Sequence, residues 1–199
     1  MPTNPPLSNL DRALSAGLVV GPTAFITAWL VSGAMTPGYS PIRDPISDLA
    51  AVDASTRGLV NLGFAAFAVS AGAAAIPARR FLGTPAAVVL GANVLLTVGI
   101  ALAPLGQSRE GDRTHSVLAG LGYLALAAMG PSAAPTLAKR KPLLGRASVA
   151  VGVVSIACLG LSVIRPETGF WQRAGLLITD AWLIAMGLRA VTGAARDEG

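Results

Sequence analysis

Long apolar runs separated by short polar segments dominate the pattern along the chain. Five stretches carry no Asp, Glu, Lys or Arg side chain, namely residues 13–42, 58–78, 81–108, 114–138 and 147–164. Each is long enough to hold the roughly 20 apolar residues with which a helix crosses a hydrocarbon core about 30 Å thick. The pattern therefore predicts an all-α, polytopic membrane protein built as a bundle of transmembrane helices.

Six membrane-spanning segments are predicted, at about 13–35, 58–77, 85–105, 115–137, 146–164 and 170–190. Residues 1–10 are expected to form a flexible tail, residues 11–192 the helical domain, and residues 193–199 a cytoplasmic tail. In the first segment, Gly17 and Gly21 form a small-xxx-small face, which predicts close contact with another helix.

The composition excludes a soluble globular protein. Hydrophobic residues make up 53% of the 199 residues and charged residues 13%, whereas a soluble domain carries about 25% charged residues. Cys158 is the sole cysteine, which excludes an internal disulfide and a cysteine metal cluster. A standard zinc site would need several carboxylates besides the one His and one Cys, so no metal and no cofactor is predicted.

The basic residues are distributed in a way that predicts membrane orientation. Six spans put nine of them on the side of the two termini: Arg12, Arg79, Arg80, Lys139, Arg140, Lys141, Arg146, Arg189 and Arg196. The opposite side carries Arg43, Arg57, Arg109, Arg113, Arg165 and Arg173. Because cytoplasmic loops retain the excess of Lys and Arg, both termini are predicted to be cytoplasmic. Topology thus explains the net charge of +5, and no nucleic-acid partner is expected.

The abundance of Arg, Ala and Gly is typical of a GC-rich bacterial genome, and we expect a multi-pass protein of the bacterial plasma membrane. Thirteen arginines stand against two lysines. Membrane lipid is then the expected partner that surrounds the helix bundle.

Candidate chemistry concentrates in the three outer connections, at about 36–57, 106–115 and 165–173. His115, the single histidine, could act with Asp48 as an acid/base pair. Arg43, Arg113 and Arg173 could bind the phosphate or carboxylate of a ligand bidentately. An ion-paired, solvated surface is the alternative explanation for these charges.

One acidic residue lies in the middle of the sixth segment. Asp180 is seven positions from Arg173 and nine from Arg189, at a depth where an ionised carboxylate is costly and usually faces the bundle interior. Asn61, Asn93 and Thr97 are plausible polar partners. An interhelical hydrogen bond and a proton-relay or ligand-binding site both remain open for Asp180.

Three short motifs resemble a known family. They are Arg43 with Ile46-Ser47-Asp48-Leu49, Ala103-Pro104 followed by a polar loop and His115, and Gly169-Phe170-Trp171-Gln172-Arg173. Together they resemble the bacterial integral-membrane family catalogued as domain of unknown function 998, over about residues 13–190. The resemblance implies six membrane helices and supplies no activity.

The leading hypothesis is a protein that binds or processes an amphipathic, lipid-like molecule at a polar site in the outer leaflet. Alternatives are a small proton-linked transporter that uses Asp180, and a non-catalytic assembly partner of another membrane protein or of a second copy. Whether the protein is an enzyme is left open. The leading hypothesis predicts that Asp48 lies within hydrogen-bond or ion-pair reach of at least one of His115, Arg113 and Arg173.

Overall fold

The computed structural model describes residues 7–193, and this part of the chain is helical, without strands. Its α-helices are α1 (Asn9–Ser15), α2 (Gly17–Met35), α3 (Arg57–Phe81), α4 (Thr84–Leu102), α5 (Arg109–Ala138), α6 (Pro142–Ile164) and α7 (Thr168–Thr192). A short 3-10 helix, Ile46–Ala50, lies between α2 and α3. With α1 and α2 taken together, six helical segments of residues 7–193 are long and apolar enough to cross a membrane. The predicted fold class is confirmed, while the orientation of the termini stays a prediction.

The first helical segment begins earlier than the sequence pattern predicts. Ser8 and Asp11 form a capping box, in which Asp11 N donates to Ser8 Oγ at 3.0 Å and Ser8 N donates to Asp11 Oδ2 at 3.2 Å. Such reciprocal bonds satisfy backbone donors that a helix start leaves unpaired. The helix therefore begins at Asn9, within the segment expected to be a tail. The rest of that expectation, residues 1–6, and residues 194–199 of the C-terminal tail lie outside the described part.

The helix α5 also begins before its apolar run. Ser108 caps it by accepting a hydrogen bond from Gly111 N at 3.0 Å. Glu110 and Asp112 then occupy the first turn, where negative charge is favourable at a helix N-terminus. The charged segment predicted as a loop is thus largely helical.

The helices close into a ring. Each of α2 to α7 packs against the next one along the chain, and α7 packs back against α2. Large apolar side chains such as Val69, Leu95 and Val163 are exposed on the outside. Lipid covers such side chains in a membrane protein, so the arrangement agrees with the spanning assignment.

Glycines allow several of these helices to approach closely. A Cβ atom on Gly17 would overlap the carbonyl oxygen of Ser70, and one on Gly21 would lie 3.3 Å from Phe67 Cα. The predicted contact face of α2 is therefore confirmed, and its neighbour is α3. Gly130 of α5 meets the carbonyl of Ser148 in α6 in the same way.

Candidate functional site

The segment between α2 and α3 folds over one end of the bundle, the end at which α7 begins. Its 3-10 helix is anchored by Ile46, Leu49 and Ala50, which are buried. Ile46 and Leu49 belong to an apolar cluster that includes Trp29 of α2 and Phe64 of α3. Burial of these side chains holds the connection on the helices.

Arg173 is the main polar anchor of this segment. Its side chain is buried, and Nη1 donates to the carbonyl oxygens of Pro41 at 2.9 Å, Asp44 at 3.0 Å and Gly169 at 2.9 Å. Nη2 donates to the hydroxyl oxygen of Tyr39. Arg173 thus joins α7 to a segment about 130 positions earlier in the chain.

Two aromatic rings cover the guanidinium. Its Cζ atom lies 5.2 Å from the ring centroid of Trp29 and 5.5 Å from that of Tyr39. Aromatic faces attract a cation at such distances. Burial raises the pKa of the Tyr39 hydroxyl, although the nearby Arg173 opposes the shift. Tyr39 therefore stays neutral and donates to Pro45 O at 3.0 Å.

The start of α7 is shaped to receive the segment. Phe170 N donates to Ile42 O at 2.9 Å and Gly169 N to Arg43 O at 3.3 Å, so loop carbonyls satisfy amides that a helix start leaves unpaired. A Cβ atom on Gly169 would overlap the carbonyl oxygen of Asp44. Glycine is needed at this position for the close approach.

Gln172 makes the second polar link. Its Oε1 accepts a hydrogen bond from Ile46 N at 2.8 Å, and its Nε2 donates to the hydroxyl oxygen of Tyr123. The side chain is buried. Gln172 therefore connects the 3-10 helix, α7 and α5.

The prediction for Asp48 is wrong. Asp48 is exposed and, within residues 7–193, makes no hydrogen bond or ion pair with His115, Arg113 or Arg173. It lies on the exposed side of the 3-10 helix, whereas its neighbour Leu49 is buried. Loss of water raises the pKa of Asp48, the Asp44 carboxylate raises it further, and His115 opposes the shift.

The arginines expected to bind a ligand occupy three different environments. Arg43 and Arg113 are exposed, and their side chains make no hydrogen bond or ion pair to other described residues. Arg173 is committed to the connecting segment. The structure therefore does not bring the three together around one ligand.

His115 lies in the second turn of α5, where its Nδ1 is 2.7 Å from the carbonyl oxygen of Ala103. A carbonyl oxygen can only accept, so Nδ1 carries the proton of this bond and Nε2 is the ring nitrogen left without it. The ring is buried and lines an internal pocket.

This pocket lies under the 3-10 helix, within the ring of helices, and is partly open. Its volume is about 80 Å³, against roughly 150 Å³ for an engineered cavity that binds benzene. The wall from α2 and α3 is aromatic: Phe25, Phe64 and Phe67. The walls from α4, α5 and α7 carry the polar side chains Asn93, Thr97, His115, Tyr123, Gln172 and Asp180.

One face of α7 lines the pocket along its length. Gln172, Leu176 and Asp180 all line it and follow each other at intervals of four residues. Eight residues of helix rise by about 12 Å. The polar lining thus extends from the start of α7 to the middle of this helix.

Asp180 is 2% exposed, and its carboxyl group makes no hydrogen bond or ion pair in the described part of the chain. The expected partners bond elsewhere, because Asn93 Nδ2 donates to Gly122 O at 3.1 Å and Thr97 Oγ1 to Asn93 O at 2.9 Å. Asn61 does not line the pocket. The interhelical hydrogen bond that was one explanation for Asp180 is therefore not formed.

Several residues of the site carry no signal in the sequence. Tyr39, Trp29 and Tyr123 have the composition and spacing of ordinary membrane aromatics, and only their contacts with Arg173 or Gln172 distinguish them. The sequence signal for this site was the adjacent pair Gln172 and Arg173 at the start of α7.

Comparison of the chain with known proteins identifies a matching family. No curated protein matches the chain, and no solved structure does. Residues 19–189 match the model of the family described as protein of unknown function, DUF998. With that match over most of its length, and with six helices able to span a membrane in its described part, the chain belongs to the family DUF998.

Proposed function

We propose that this DUF998 protein binds one end of an amphipathic, lipid-like molecule in the pocket between α2, α3, α4, α5 and α7. The observation that carries the proposal is the mixed lining, which combines three phenylalanines from α2 and α3 with polar side chains from α4, α5 and α7. Ligand sites are commonly concave and apolar with a few placed polar groups. The pocket combines both kinds of lining and lies between helices that are able to span the membrane.

The size of the pocket limits how much of the ligand it takes. A volume of about 80 Å³ accommodates a small polar group and a few carbon atoms. The remainder of a longer molecule leaves through the open side and lies against the apolar exterior of the bundle. This division suits a molecule that already partitions into the bilayer.

The polar end of the ligand differs from the one that the sequence suggested. No Arg or Lys is among the residues that line the pocket, and the guanidinium of Arg173 is occupied by carbonyl oxygens. A phosphate group would therefore meet no basic side chain inside. Binding is proposed rather than catalysis, because Asp48 and His115 do not form a hydrogen-bonded pair.

A pocket-filling variant tests the proposal. The protein is placed in phosphatidylcholine nanodiscs, and its thermal unfolding is measured with and without dodecanol, dodecanoic acid and dodecylamine. Ala119 lines the pocket, so Ala119→Leu should abolish stabilisation by any of the three that binds. Ala150→Leu is the matched control, because Ala150 is exposed on α6 and does not line the pocket.

Stabilisation of the original protein and of Ala150→Leu, but not of Ala119→Leu, supports the proposal. Absence of any shift with all three amphiphiles contradicts it. Equal shifts in both variants place the binding outside the pocket and also contradict it.

Proton-linked transport is the second candidate, and the unpaired carboxyl of Asp180 favours it. Intramembrane acidic residues often serve proton relays. Proteoliposomes that contain a pH-sensitive dye should then report a pH change when a transported amphiphile is added. The change should be absent in Asp180→Asn, and normal flux in that variant would contradict the candidate.

A further inference from the structure

We infer that the ligand is an amphipathic amine whose ammonium group pairs with Asp180. This inference rests on the proposed function, since it names the chemical class of the molecule that the pocket binds. It follows from the position of Asp180, the charge of the lining and the aromatic wall.

Asp180 is a buried acid that faces the pocket without a partner. It is 2% exposed, lines the pocket, and receives no hydrogen bond from the described residues. Its carboxyl oxygens keep a small accessible surface, although neither of them has a hydrogen bond. The carboxyl oxygens therefore reach the pocket.

None of the cationic side chains in residues 7–193 pairs with this carboxyl group. The other ionisable side chains that line the pocket are His115 and Tyr123. His115 lies at the start of α5, near the outer end of the pocket, where it bonds to Ala103 O. Buried charges are normally paired, because an isolated charge loses its hydration. Without a partner the buried carboxyl group favours its neutral, protonated form. A bound ammonium group would stabilise the carboxylate, whose proton leaves to water, whereas a phosphate or carboxylate would gain no such ion pair.

The aromatic wall complements an ammonium group. Phe25 and Phe64 stack with ring centroids 5.1 Å apart, and the Phe25 and Phe67 centroids are 6.4 Å apart. Aromatic faces attract alkylammonium groups and also pack against alkyl carbons. A lining that combines an acid with three phenylalanines thus matches both the ammonium group and the carbon chain of an amphipathic amine.

The inference is tested with two amphiphiles that share a chain and differ in charge. Dodecylamine and dodecanol are titrated at neutral pH into the protein in phosphatidylcholine nanodiscs, and affinity is obtained from the shift of thermal unfolding. Dodecylamine should bind the original protein at least about tenfold more tightly than dodecanol, since one buried ion pair readily supplies a tenfold difference.

Asp180→Asn should remove this preference while it keeps the shape of the side chain. Asp53→Asn is the matched control, because Asp53 is an exposed acid outside the pocket. That variant should retain the full preference for dodecylamine. If Asp180→Asn does not fold, the inference is still tested by the relative affinity of the original protein for dodecylamine and dodecanol.

Equal binding of dodecylamine and dodecanol by the original protein would overturn the inference and leave the proposed function standing. No binding of either compound would overturn the inference, and the absence of a shift with dodecanoic acid as well would overturn the proposed function too. Stabilisation by methylammonium or sodium alone, without a contribution from the chain, would indicate a small-cation site and overturn the amphipathic part. A preference that survives in Asp180→Asn would also overturn it.

Discussion

The guanidinium of Arg173 is held by carbonyl oxygens and aromatic rings, without a carboxylate among its hydrogen-bond partners. A planar group with several donors in a fixed fork suits three carbonyls and a hydroxyl at once. Lysine, a point charge on a flexible stem, cannot reproduce this geometry. The residue therefore stabilises the connection over the pocket rather than binding a ligand.

We expect Arg173→Lys to lower the free energy of unfolding by about 2–3 kcal/mol, because hydrogen bonds of a buried charged group are lost. Chemical or thermal unfolding in nanodiscs measures the change. Arg43→Lys is the control, since Arg43 is exposed in the same segment, and its effect should stay within about 0.5 kcal/mol. Equal effects of the two substitutions would show that the hydrogen bonds of Arg173 contribute little.

Asp48 should affect stability in a pH-dependent way. Because loss of water raises its pKa, the native state binds the proton more tightly than the unfolded state does. Stability therefore falls as the pH rises from about 4 through the raised pKa, and the full penalty applies above it. We expect Asp48→Asn to raise the unfolding temperature slightly at pH 7.

The advantage of Asp48→Asn should shrink as the pH falls and vanish below about pH 4, where both states carry the proton. Unfolding temperatures of the variant and the original protein from pH 3 to pH 8 measure it. An advantage that is largest at the acidic end would contradict this assignment.

At the scale of elements, backbone contact at glycines decides which helices pack most closely. Gly130 of α5 lies against the carbonyl of Ser148 in α6. Trp182 of α7 then donates to Ser148 Oγ at 3.0 Å, which adds a polar link between α6 and α7. In a bilayer, small residues let helices approach where the hydrophobic effect between helices is weak.

We expect Gly130→Ala to destabilise the protein by about 1–3 kcal/mol, because its Cβ would overlap a backbone atom of α6. Gly120→Ala, on the same helix, meets no atom within 4 Å, and it should be neutral or stabilising by up to about 1 kcal/mol. Unfolding of both variants under the same conditions measures the difference. A neutral Gly130→Ala would mean that α5 and α6 separate at little cost.

At the scale of the whole molecule, six spans place the two ends of the described chain on the same side of the membrane. The outer connection over the pocket then lies on the opposite side. Which side is cytoplasmic follows from the basic residues, with nine predicted inside and six outside.

Cysteine labelling in a Cys158→Ser background tests this orientation. A reagent that does not cross the membrane should label Ser55→Cys and Ser108→Cys in intact cells, but not Thr84→Cys or Thr192→Cys, and all four positions are exposed. Labelling of the second pair alone would reverse the predicted orientation.

The spans were predictable because membrane insertion depends on local composition. Apolar runs near 20 residues long, bounded by charges, indicate a spanning helix whatever the rest of the chain does. The helix starts at Asn9 and Arg109 differ from the pattern for a local reason as well, because capping by Ser8 and Ser108 extends each helix beyond its apolar run.

The sequence by itself therefore determined the class of protein, the number of spans, the contact face at Gly17 and the suspicion attached to Asp180. The tertiary structure decided which polar groups meet. Arg173 bonds to residues about 130 positions away and Gln172 to Ile46, 126 positions away, while Asp48 turns outward. Such choices depend on distances between helices and on competing backbone acceptors, which no local pattern of residues contains.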